Sequence, residues 1–319
     1  MKKRKLGWTD LELSVIGLGT WAAGGAGWKF AWGPQDDSDT IKTVHEAIDN
    51  GINWIDTAAV YGLGHSEVEV GRAIKGKRNK LIIATKCARR WNEDGSEIFG
   101  ALKKDGIKKE CEDSLKRLDV SVIDLYQMHW PDPEKDLEEG WGAMTELVKE
   151  GKVRYAGISN FSTAQMKKIA DIGRISSLQP PYSMLRRAIE NDQLVFCKEN
   201  NIGVVTYSPM ERGLLTGKVT KEWVASLPDS DHRKRDSRFN EPELSKNLKL
   251  IEKLKAIAAE NNITVAQLAI AWILRRPEVT SAIVGARKPG QILETVKAGD
   301  VTLSPDTIKK IEKELVAFK

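Results

Sequence analysis

Four polar residues in the first half of the chain have side chains suited to proton transfer. Asp56, Lys86 and His129 each end a short apolar run, and Tyr61 follows Asp56 in the next loop. A tyrosine hydroxyl has an ordinary pKa of about 10, which is too high for easy proton exchange at neutral pH. A nearby ammonium lowers that pKa, and a carboxylate keeps the ammonium charged and in place. These residues predict a general acid aimed at a carbonyl, with His129 hydrogen-bonded to the substrate oxygen or to the tyrosine.

Polar residues also end the later apolar runs. They are Ser159, Asn160, Gln179, Tyr207 and Ser208. Each residue taken alone is explained well as part of a surface loop or as a hydrogen-bonded residue of the core. Six consecutive apolar runs that end in polar groups, however, indicate one shared site.

Other kinds of chemistry lack the residues that they need. There is no second conspicuous carboxylate of the kind that glycosidases use. No close cluster of histidine and carboxylate residues has the spacing of metal ligands. We therefore expect His45 and His65 to be structural or solvated, and we predict no bound metal.

Short apolar strands alternate with amphipathic helices along the chain. Strands are predicted over residues 15–19, 53–56, 81–86, 122–129, 153–159, 177–179, 202–207 and 282–284. Helices are predicted over residues 39–50, 66–74, 104–118, 137–149, 162–171, 188–200, 248–261, 264–275 and 289–298. A hairpin over residues 5–15 precedes these units, and a last helix over residues 304–316 follows them. Such units of about 30 residues indicate a parallel sheet, because each parallel crossover needs a helix.

Eight strand–helix units predict a (β/α)8 TIM barrel, an α/β fold in which the loops after the strands meet at one mouth. A doubly wound sheet is the alternative, and the GxGxxA pattern of residues 17–22 would suit it. That pattern must open a helix at once, whereas residues 23–27 read Ala-Gly-Gly-Ala-Gly and are poor helix formers. We therefore predict the barrel, as a single domain over residues 1–319 with the N-terminal hairpin and the C-terminal helix as additions.

Composition narrows the class of protein. The 319 residues are 41% hydrophobic and carry a net charge of +5, which suits an anionic small ligand and requires neither nucleic acid nor a membrane. Three widely spaced cysteines form no disulfide or zinc pattern, so we expect reduced thiols and a cytoplasmic location. The first ten residues lack the apolar stretch of a signal peptide. We expect the basic clusters at residues 2–5 and 232–235 to be solvated.

Longer motifs resemble the aldo-keto reductases. They cover nearly the whole chain in the family's order: GLGTW at 17–21, DTAAVYGLGHSE at 56–67, IIATK at 82–86, IDLYQMHW at 123–130, GISNFS at 157–162, Gln179, VTYSPMERGLLTGK at 205–218 and IVGARKPGQILE at 283–294. The pattern looks like the bacterial branch that includes inositol-operon and general stress reductases. It is similar, more distantly, to the β subunits of potassium channels.

The resemblance implies an NADP(H)-dependent oxidoreductase that reduces aldehydes, ketones or sugar-like carbonyls. Tyr61 would be the general acid, Lys86 and Asp56 would tune it, and His129 would orient the carbonyl. Ser159, Asn160 and Gln179 would hold the carboxamide of the nicotinamide, on whose ring Tyr207 would stack. The full set implied for the cofactor is Gly19, Thr20, Trp21, Asp56, Ser159, Asn160, Gln179, Tyr207, Ser208, Pro209, Met210, Gly213, Leu214, Lys218, Gly285, Arg287, Gln291 and Glu294.

The cofactor preference depends on one departure from the family pattern. Gly285 stands where better-known members carry a lysine, and Thr295 stands where they carry an asparagine. Positive charge comes later, from Arg287 and Lys288, and a guanidinium can donate two hydrogen bonds to a phosphate at once. We therefore predict NADP(H) over NAD(H).

Two other functions remain open. One is a cofactor-binding redox sensor or regulatory subunit with slow turnover, which would keep the same four catalytic residues. The other is a barrel enzyme of another class, such as an isomerase or a lyase. The partner expected for the oxidoreductase is a small carbonyl substrate. The sequence reveals neither the identity of that substrate nor the oligomeric state.

The ten tryptophans are unevenly placed. Trp54, Trp141 and Trp272 lie in predicted strands or helices and are expected in the core, and Trp8 lies at the hairpin. The other six follow strands, in the loops over the predicted mouth: Trp21, Trp28, Trp32, Trp91, Trp130 and Trp223. We predict a substrate pocket lined by Trp21, Tyr61, Trp91, His129 and Trp130. For Trp28, Trp32 and Trp223, fastening a long loop to the barrel rim is an equal alternative.

Overall fold

A computed structural model describes residues 1–229 and 231–318 of the chain. Its strands are β1 (Lys3–Lys5), β2 (Glu12–Ser14), β3 (Ile16–Gly19), β4 (Trp54–Asp56), β5 (Ile82–Cys87), β6 (Arg89–Trp91), β7 (Ile98–Gly100), β8 (Ile123–Met128), β9 (Val153–Ser159), β10 (Ser177–Gln179), β11 (Gly203–Thr206) and β12 (Val279–Gly285). Its α-helices are α1 (Asp37–Asp49), α2 (His65–Ile74), α3 (Lys104–Leu118), α4 (Leu137–Lys149), α5 (Thr163–Ala170), α6 (Gln193–Glu199), α7 (Lys221–Ala225), α8 (Glu243–Glu260), α9 (Val265–Leu274), α10 (Gln291–Val296) and α11 (Pro305–Phe318).

Eight parallel strands close into a barrel in the order β3, β4, β5, β8, β9, β10, β11, β12. The last strand pairs with the first, with Ala282 opposite Ile16 and Gly285 opposite Gly19. This closure confirms the predicted TIM barrel and excludes the doubly wound sheet. Gly17 of the GxGxxA pattern lies inside β3, where a Cβ would overlap the indole of Trp54. The glycine at this position therefore makes room for a core side chain.

The N-terminal hairpin covers one end of the barrel. Its strands β1 and β2 pair antiparallel, with Lys3 opposite Ser14. Its turn contacts the starts of the barrel strands: the Trp8 amide donates to the carbonyl of Asn201, before β11, and the Trp8 indole donates to that of Ile175, before β10. A buried cluster fills this end, made of Leu6, Leu11, Leu13, Trp54, Ala84, Leu125, Val205 and Ile283. Access to the barrel interior is therefore left at the opposite end, where the strands finish.

A second, larger core lies between the barrel and the surrounding helices. Every residue of α9 is buried, including Trp272, and Trp141 of α4 is also fully buried. Trp54, Trp141 and Trp272 thus occupy the core, as predicted. Among the described residues, no single helix is long and apolar enough to span a membrane, although α8 and α9, bent by 84° at their junction, meet that length and composition together.

Several boundaries differ from the sequence prediction, each for a local reason. The helix predicted over 188–200 is broken at Asp192, whose φ of −134° is not helical, into a 3-10 turn and α6. The helix predicted from residue 248 begins at Glu243, because Leu244 and Asn247 are already buried against the core. The last barrel strand begins at Val279 rather than at residue 282.

An unpredicted hairpin, β6 and β7, follows β5 and projects from the barrel end. Its polar residues show no alternation that would have indicated strands. Ala88, with a φ of +71°, turns the chain out of β5 into this hairpin. The hairpin carries Trp91, so it decides where that predicted pocket residue lies.

Candidate active site

Asp56, Lys86 and Tyr61 form a connected group at the finishing ends of β4 and β5. Lys86 Nζ lies 2.5 Å from Asp56 Oδ1 and donates to the carbonyl of Thr57 at 2.9 Å and to the Tyr61 hydroxyl at 3.3 Å. Both charged side chains are buried, Lys86 at 1% and Asp56 at 2% exposure. A buried ion pair needs further hydrogen bonds to balance its desolvation, and the Thr57 carbonyl supplies one of them.

Two glutamines hold the other oxygen of Asp56. Gln179 Nε2 donates to Asp56 Oδ2 at 2.8 Å, and Gln127 Nε2 donates to the same atom at 3.3 Å. Gln179 also donates to Gln127 Oε1 at 3.1 Å. The Gln179 amide protons thus point at Asp56 and Gln127. Gln127 was missed at the sequence level, although it lies two residues after Leu125 along β8, so that both side chains are on the inner face of the barrel.

The pKa values of Lys86 and Tyr61 are both raised, but for different reasons. Burial acts to lower the pKa of Lys86, but Asp56 and then Tyr61 outweigh it, so the pKa is raised and the ammonium stays charged. Burial raises the pKa of Tyr61, and Lys86 opposes the rise only in part. The ammonium thus acts in the predicted direction, yet the pKa of the tyrosine ends above its ordinary value because burial is the larger effect. A phenol in this state is a proton donor.

His129 lies beside Tyr61, with ring centroids 5.8 Å apart and planes at 78°. Burial, followed by the charges of Lys86 and Arg89, lowers the pKa of His129 well below its ordinary value. The imidazole is therefore neutral at neutral pH, with one N–H donor and one acceptor nitrogen. It can donate a hydrogen bond to a carbonyl oxygen that also accepts one from the Tyr61 hydroxyl.

The loop that carries Tyr61 is tightly built. Gly62 and Gly64 have φ values of +62° and +104°, in the region that favours glycine. A Cβ on Gly62 would overlap the backbone of Gly24, in the 3-10 turn after β3. The loop that carries Tyr61 therefore packs backbone to backbone against the tryptophan-rich loop, residues 20–36 between β3 and α1, and this close approach positions Tyr61.

The ends of β9, β10 and β11 bring together most of the residues implied for the nicotinamide. Asn160, with a φ of +64°, donates to the carbonyl of His129 and to Ser159 Oγ, both at 3.0 Å. The Tyr207 hydroxyl donates to Asn160 Oδ1 at 2.8 Å, and Ser159 Oγ donates to the carbonyl of Gln179 at 2.8 Å. These bonds hold Ser159, Asn160 and Tyr207 as one polar ledge next to His129.

Thr20 has a positioning role in this structure. Its side chain is buried, and its hydroxyl donates to the carbonyl of Asp56 at 3.1 Å. Gly19 is in register with Asp56 on one side and with Gly285 on the other. A Cβ on Gly285 would meet only the carbonyl oxygen of Gly19, at 3.9 Å. The surface at Gly285 is thus open to a ligand, whereas a Cβ on Gly19 would overlap the side chain of Ile283.

The turn after β11 fits an anionic group. Ser208, Glu211, Arg212 and Gly213 all have positive φ, which coils the backbone tightly. Pro209 and Leu214 are buried, so only their backbone can face a ligand, and Met210 is half-buried. Burial and then the charge of Arg186 lower the pKa of Arg238 to about 10. Arg238 already pairs with Asp236 at 2.5 Å and with Glu211. The feature of this turn that fits the pyrophosphate of a dinucleotide is therefore its coiled backbone, whose amide groups can face an anion.

The residues implied for the adenosine end lie after β12 and are partly engaged with one another. The Arg287 guanidinium donates to the carbonyl of Pro34 at 2.7 Å and to Gln35 Oε1 at 3.3 Å, which leaves further N–H groups for a phosphate. Gln291 Oε1 accepts from the Arg287 amide at 2.7 Å. Lys218 pairs with Glu294 at 2.7 Å, which ties the turn after β11 to α10.

The tryptophan-rich loop supplies a wall of aromatic rings beside Tyr61. Trp21 stacks on Tyr61 with centroids 5.9 Å apart and planes at 9°, and its ring also stacks on His232 at 5.7 Å and 16°. The ring centroid of Trp28 lies 6.2 Å from that of Tyr61. Trp130 is 39% exposed and lies under the Arg89 guanidinium at 5.6 Å. In the part of the chain that the structure describes, the rings stacked on Tyr61 include Trp21 but neither Trp91 nor Trp130.

The basic segment 232–235 is only partly the solvated surface that was predicted, because Arg235 is exposed but Arg233 is buried. Arg233 is 8% exposed, pairs with Asp231 at 2.5 Å and lies between the rings of Trp32 and Trp223, 4.8 Å from each. The Arg233 guanidinium thus joins the two loops that carry Trp32 and Trp223. His232 was missed as a pocket residue because its only signal in the sequence was membership of this basic cluster.

Comparisons with known proteins agree with this geometry. The profile of the aldo/keto reductase family matches residues 15–315. The chain is 41% identical over 306 residues to aldo-keto reductase YhdN of Bacillus subtilis (strain 168), covering 95% of this chain and 90% of that protein. It is 37% identical over 317 residues to the NADH-specific methylglyoxal reductase of Escherichia coli (strain K12), covering 95% of each.

A solved structure shows the same fold. The glycerol dehydrogenase from Gluconobacter oxydans superimposes with a TM-score of 0.90 at 37% identity, over 99% of this chain and 95% of that one. The resemblance found in the sequence motifs is thereby confirmed. With the profile matched from the first barrel strand into the last helix, the chain belongs to the aldo/keto reductase family, whose members reduce carbonyls with a nicotinamide cofactor.

Proposed function

We propose that this protein reduces small aldehydes, ketones or sugar-like carbonyls to alcohols with NADPH, and that Tyr61 is the general acid. The observation that carries the proposal is the buried chain of contacts from Asp56 through Lys86 to the Tyr61 hydroxyl, beside a neutral His129. The bound nicotinamide supplies the hydride. The protein's own task is to place the carbonyl and to protonate its oxygen.

The proton step follows from the two pKa directions. Tyr61 holds its proton at neutral pH because burial raises its pKa, so the hydroxyl is ready to donate to a carbonyl oxygen that becomes negative. The phenolate that remains lies 3.3 Å from the charged Lys86 Nζ, which stabilises it. Asp56 keeps Lys86 charged. His129 donates its N–H to the same carbonyl oxygen and so orients it.

The residues that would hold the cofactor fall along the mouth in order. Ser159 and Asn160 would bind the carboxamide of the nicotinamide, and Tyr207 would stack on its ring. The turn after β11 would hold the pyrophosphate. The unused N–H groups of Arg287 would bind the phosphate that distinguishes NADPH from NADH, and this is the reason for proposing NADPH. NADH is the rival, since one relative is described as NADH-specific and another as acting with NADP(+).

The pocket favours small, oxygenated substrates. The stacked rings of Trp21 and Tyr61 form one wall, and His232 extends it with an imidazole whose Nε2 is buried without a hydrogen-bond partner among the described residues. An oxygen next to the reacting carbonyl would satisfy that nitrogen. Relatives described as a methylglyoxal reductase and a glycerol dehydrogenase support three-carbon compounds with adjacent oxygens.

The test is a panel of carbonyls assayed with NADPH, with the wild type beside Tyr61→Phe. We expect turnover of at least one small carbonyl, and Tyr61→Phe should lose about 100-fold to 10,000-fold in kcat while cofactor affinity stays within about twofold. Retained turnover in Tyr61→Phe would refute the general-acid assignment. Tightly retained cofactor with negligible turnover of every carbonyl would instead support the redox sensor, and absence of nicotinamide binding would support another class of enzyme.

Cofactor preference needs its own measurement. We expect kcat/KM to be higher with NADPH than with NADH, and the ratio to fall in Arg287→Ala because a phosphate contact is lost. Lys297→Ala is the matched control, since it removes an exposed positive charge that is not among those implied for the cofactor. A wild-type ratio near one, or a ratio that Arg287→Ala leaves unchanged, would show that Arg287 does not select NADPH.

A further inference from the structure

Outside the catalytic group, Asp37, His65 and Glu69 come together where two helices begin. Asp37 is the first residue of α1, His65 is the first residue of α2, and Glu69 follows one turn later on the same face of α2. His65 Nε2 lies 2.8 Å from Asp37 Oδ1. One nitrogen or oxygen atom from each of the three side chains lies within 4.8 Å of the other two. The packing of α1 against α2 thus gathers residues that are far apart in the sequence.

Glu69 is the unusual member of this group. Its side chain is 0% exposed, and one oxygen accepts from the Arg72 guanidinium at 2.8 Å. Its other oxygen, Oε2, is buried and has no hydrogen-bond partner among residues 1–229 and 231–318. A buried carboxylate oxygen without a partner is costly, because it has lost its water and gained nothing in return. A ligand that bonds to this carboxylate would remove the cost.

The donor set indicates which ligand that is. One imidazole nitrogen with two carboxylates suits a divalent transition-metal ion such as Zn²⁺. Mg²⁺ and Ca²⁺ fit less well because they take oxygen ligands only and in larger number. The two carboxylates bring two negative charges to the ion, one of which is shared with the Arg72 guanidinium. His65 and Asp37 are 40% and 43% exposed, so water can complete the coordination.

From these observations we propose that Asp37, His65 and Glu69 form a binding site for one divalent transition-metal ion, for which Zn²⁺ is the probe. From the sequence, His65 was expected to be structural or solvated and no bound metal was predicted, because nothing in the sequence places Asp37 next to His65. The proposal does not depend on the function proposed above.

The site lies where it can tie two functional loops together. α1 begins where the tryptophan-rich loop ends, and α2 begins directly after the loop that carries Tyr61. A metal ion held by both helix starts would cross-link these loops at their base. Metal binding to the folded chain should therefore raise the melting temperature in the absence of any cofactor.

The experiment uses the full chain without an affinity tag, treated with a chelator and titrated with ZnCl₂ at pH 8 by calorimetry. We expect one Zn²⁺ per chain and a higher melting temperature in its presence. His65→Gln should weaken the binding by more than about tenfold, because loss of a ligand exceeds the loss of an outer partner. Because the His65 side chain is 40% exposed, we expect the His65→Gln variant to fold, and melting curves without metal verify this.

The matched control is His45→Gln. His45 also bridges the two helices, with Nε2 2.9 Å from the carbonyl of Ala73 on α2, but it lies outside the cluster. The His45→Gln variant should bind Zn²⁺ as tightly as the wild type does. Absence of binding by the wild type at about 100 μM Zn²⁺ would overturn the proposal. Binding that His65→Gln leaves unchanged would also overturn it, and would point instead to the thiols of Cys87, Cys111 and Cys197.

Discussion

The substitution Asp56→Asn tests the electrostatic argument at the centre of the site. In the wild type, Asp56 balances a buried ammonium 2.5 Å away and accepts from two glutamine amides. Asparagine keeps the shape but removes the charge, and its amide group would face the donors of Gln127 or Gln179. Breaking a buried ion pair by removing one partner costs about 3–5 kcal/mol. We expect the free energy of unfolding at pH 7 to fall by about that amount.

The same substitution should change how stability depends on pH. In the wild type the pKa of Lys86 is raised above its ordinary value of 10.5. The stability that the charged Lys86 gives to the fold is therefore complete below pH 10.5 and is lost only as the pH rises through the higher pKa of the folded state. In Asp56→Asn the burial of Lys86 is no longer opposed, so its pKa should fall below 10.5. Between the two values the unfolded chain binds a proton that the folded chain does not. The variant should therefore gain stability with rising pH, by up to about 1.4 kcal/mol per pH unit.

Urea unfolding followed by tryptophan fluorescence at pH 7 and pH 9.5 measures both effects, and the wild type corrects for other titrating groups. Asp113→Asn is the matched control, because it breaks an exposed pair with Lys109 at 3.0 Å and should cost less than about 1 kcal/mol. The reasoning is refuted if Asp56→Asn loses no more than this control, or if its stability changes with pH as the wild type does. Either result would mean that Asp56 does not hold the charge of Lys86.

Three further predictions concern the loops and the buried acid next to the site. Gly62→Ala should lower the free energy of unfolding by more than about 1 kcal/mol and reduce kcat, because its φ is +62° and a Cβ would overlap the backbone of Gly24; an unchanged urea midpoint and kcat would contradict this. Burial raises the pKa of Glu110 to about 7 from 4.5, so the contribution of this group to stability falls as the pH rises from 4.5 to 7, where the unfolded chain releases a proton that the folded chain keeps. Glu110→Gln removes this contribution, so from pH 5 to pH 7.5 its urea midpoint should rise more, or fall less, than that of the wild type; equal shifts in the two proteins would disprove it. Arg233→Ala should lower the melting temperature and raise KM for the carbonyl, because two indole rings lose the guanidinium between them; Arg235→Ala, at a more exposed position, is its control.

The barrel and the rim of its mouth followed from the sequence for a simple reason. Parallel strands share one direction, so residues that end successive apolar runs, such as Asp56, Lys86 and His129, must emerge at the same edge. The periodicity and the helix between each pair of strands are local properties of the chain. Tyr61, Asn160 and Tyr207 belong to the same edge, and the structure brings them together where the sequence placed them.

The burial of individual side chains and their contact partners were decided only by the tertiary structure. The direction of the pKa shift of Tyr61 depends on the balance between burial and the charge of Lys86, and burial is a sum over many distant neighbours. Arg233 became a buried residue only because Trp32, some 200 positions earlier, closes over it. Asp37 meets His65 and Glu69 only because α1 packs on α2. Spacing along the chain determines which edge of the barrel a side chain reaches, whereas its partners and its water are determined by surfaces that exist only after folding.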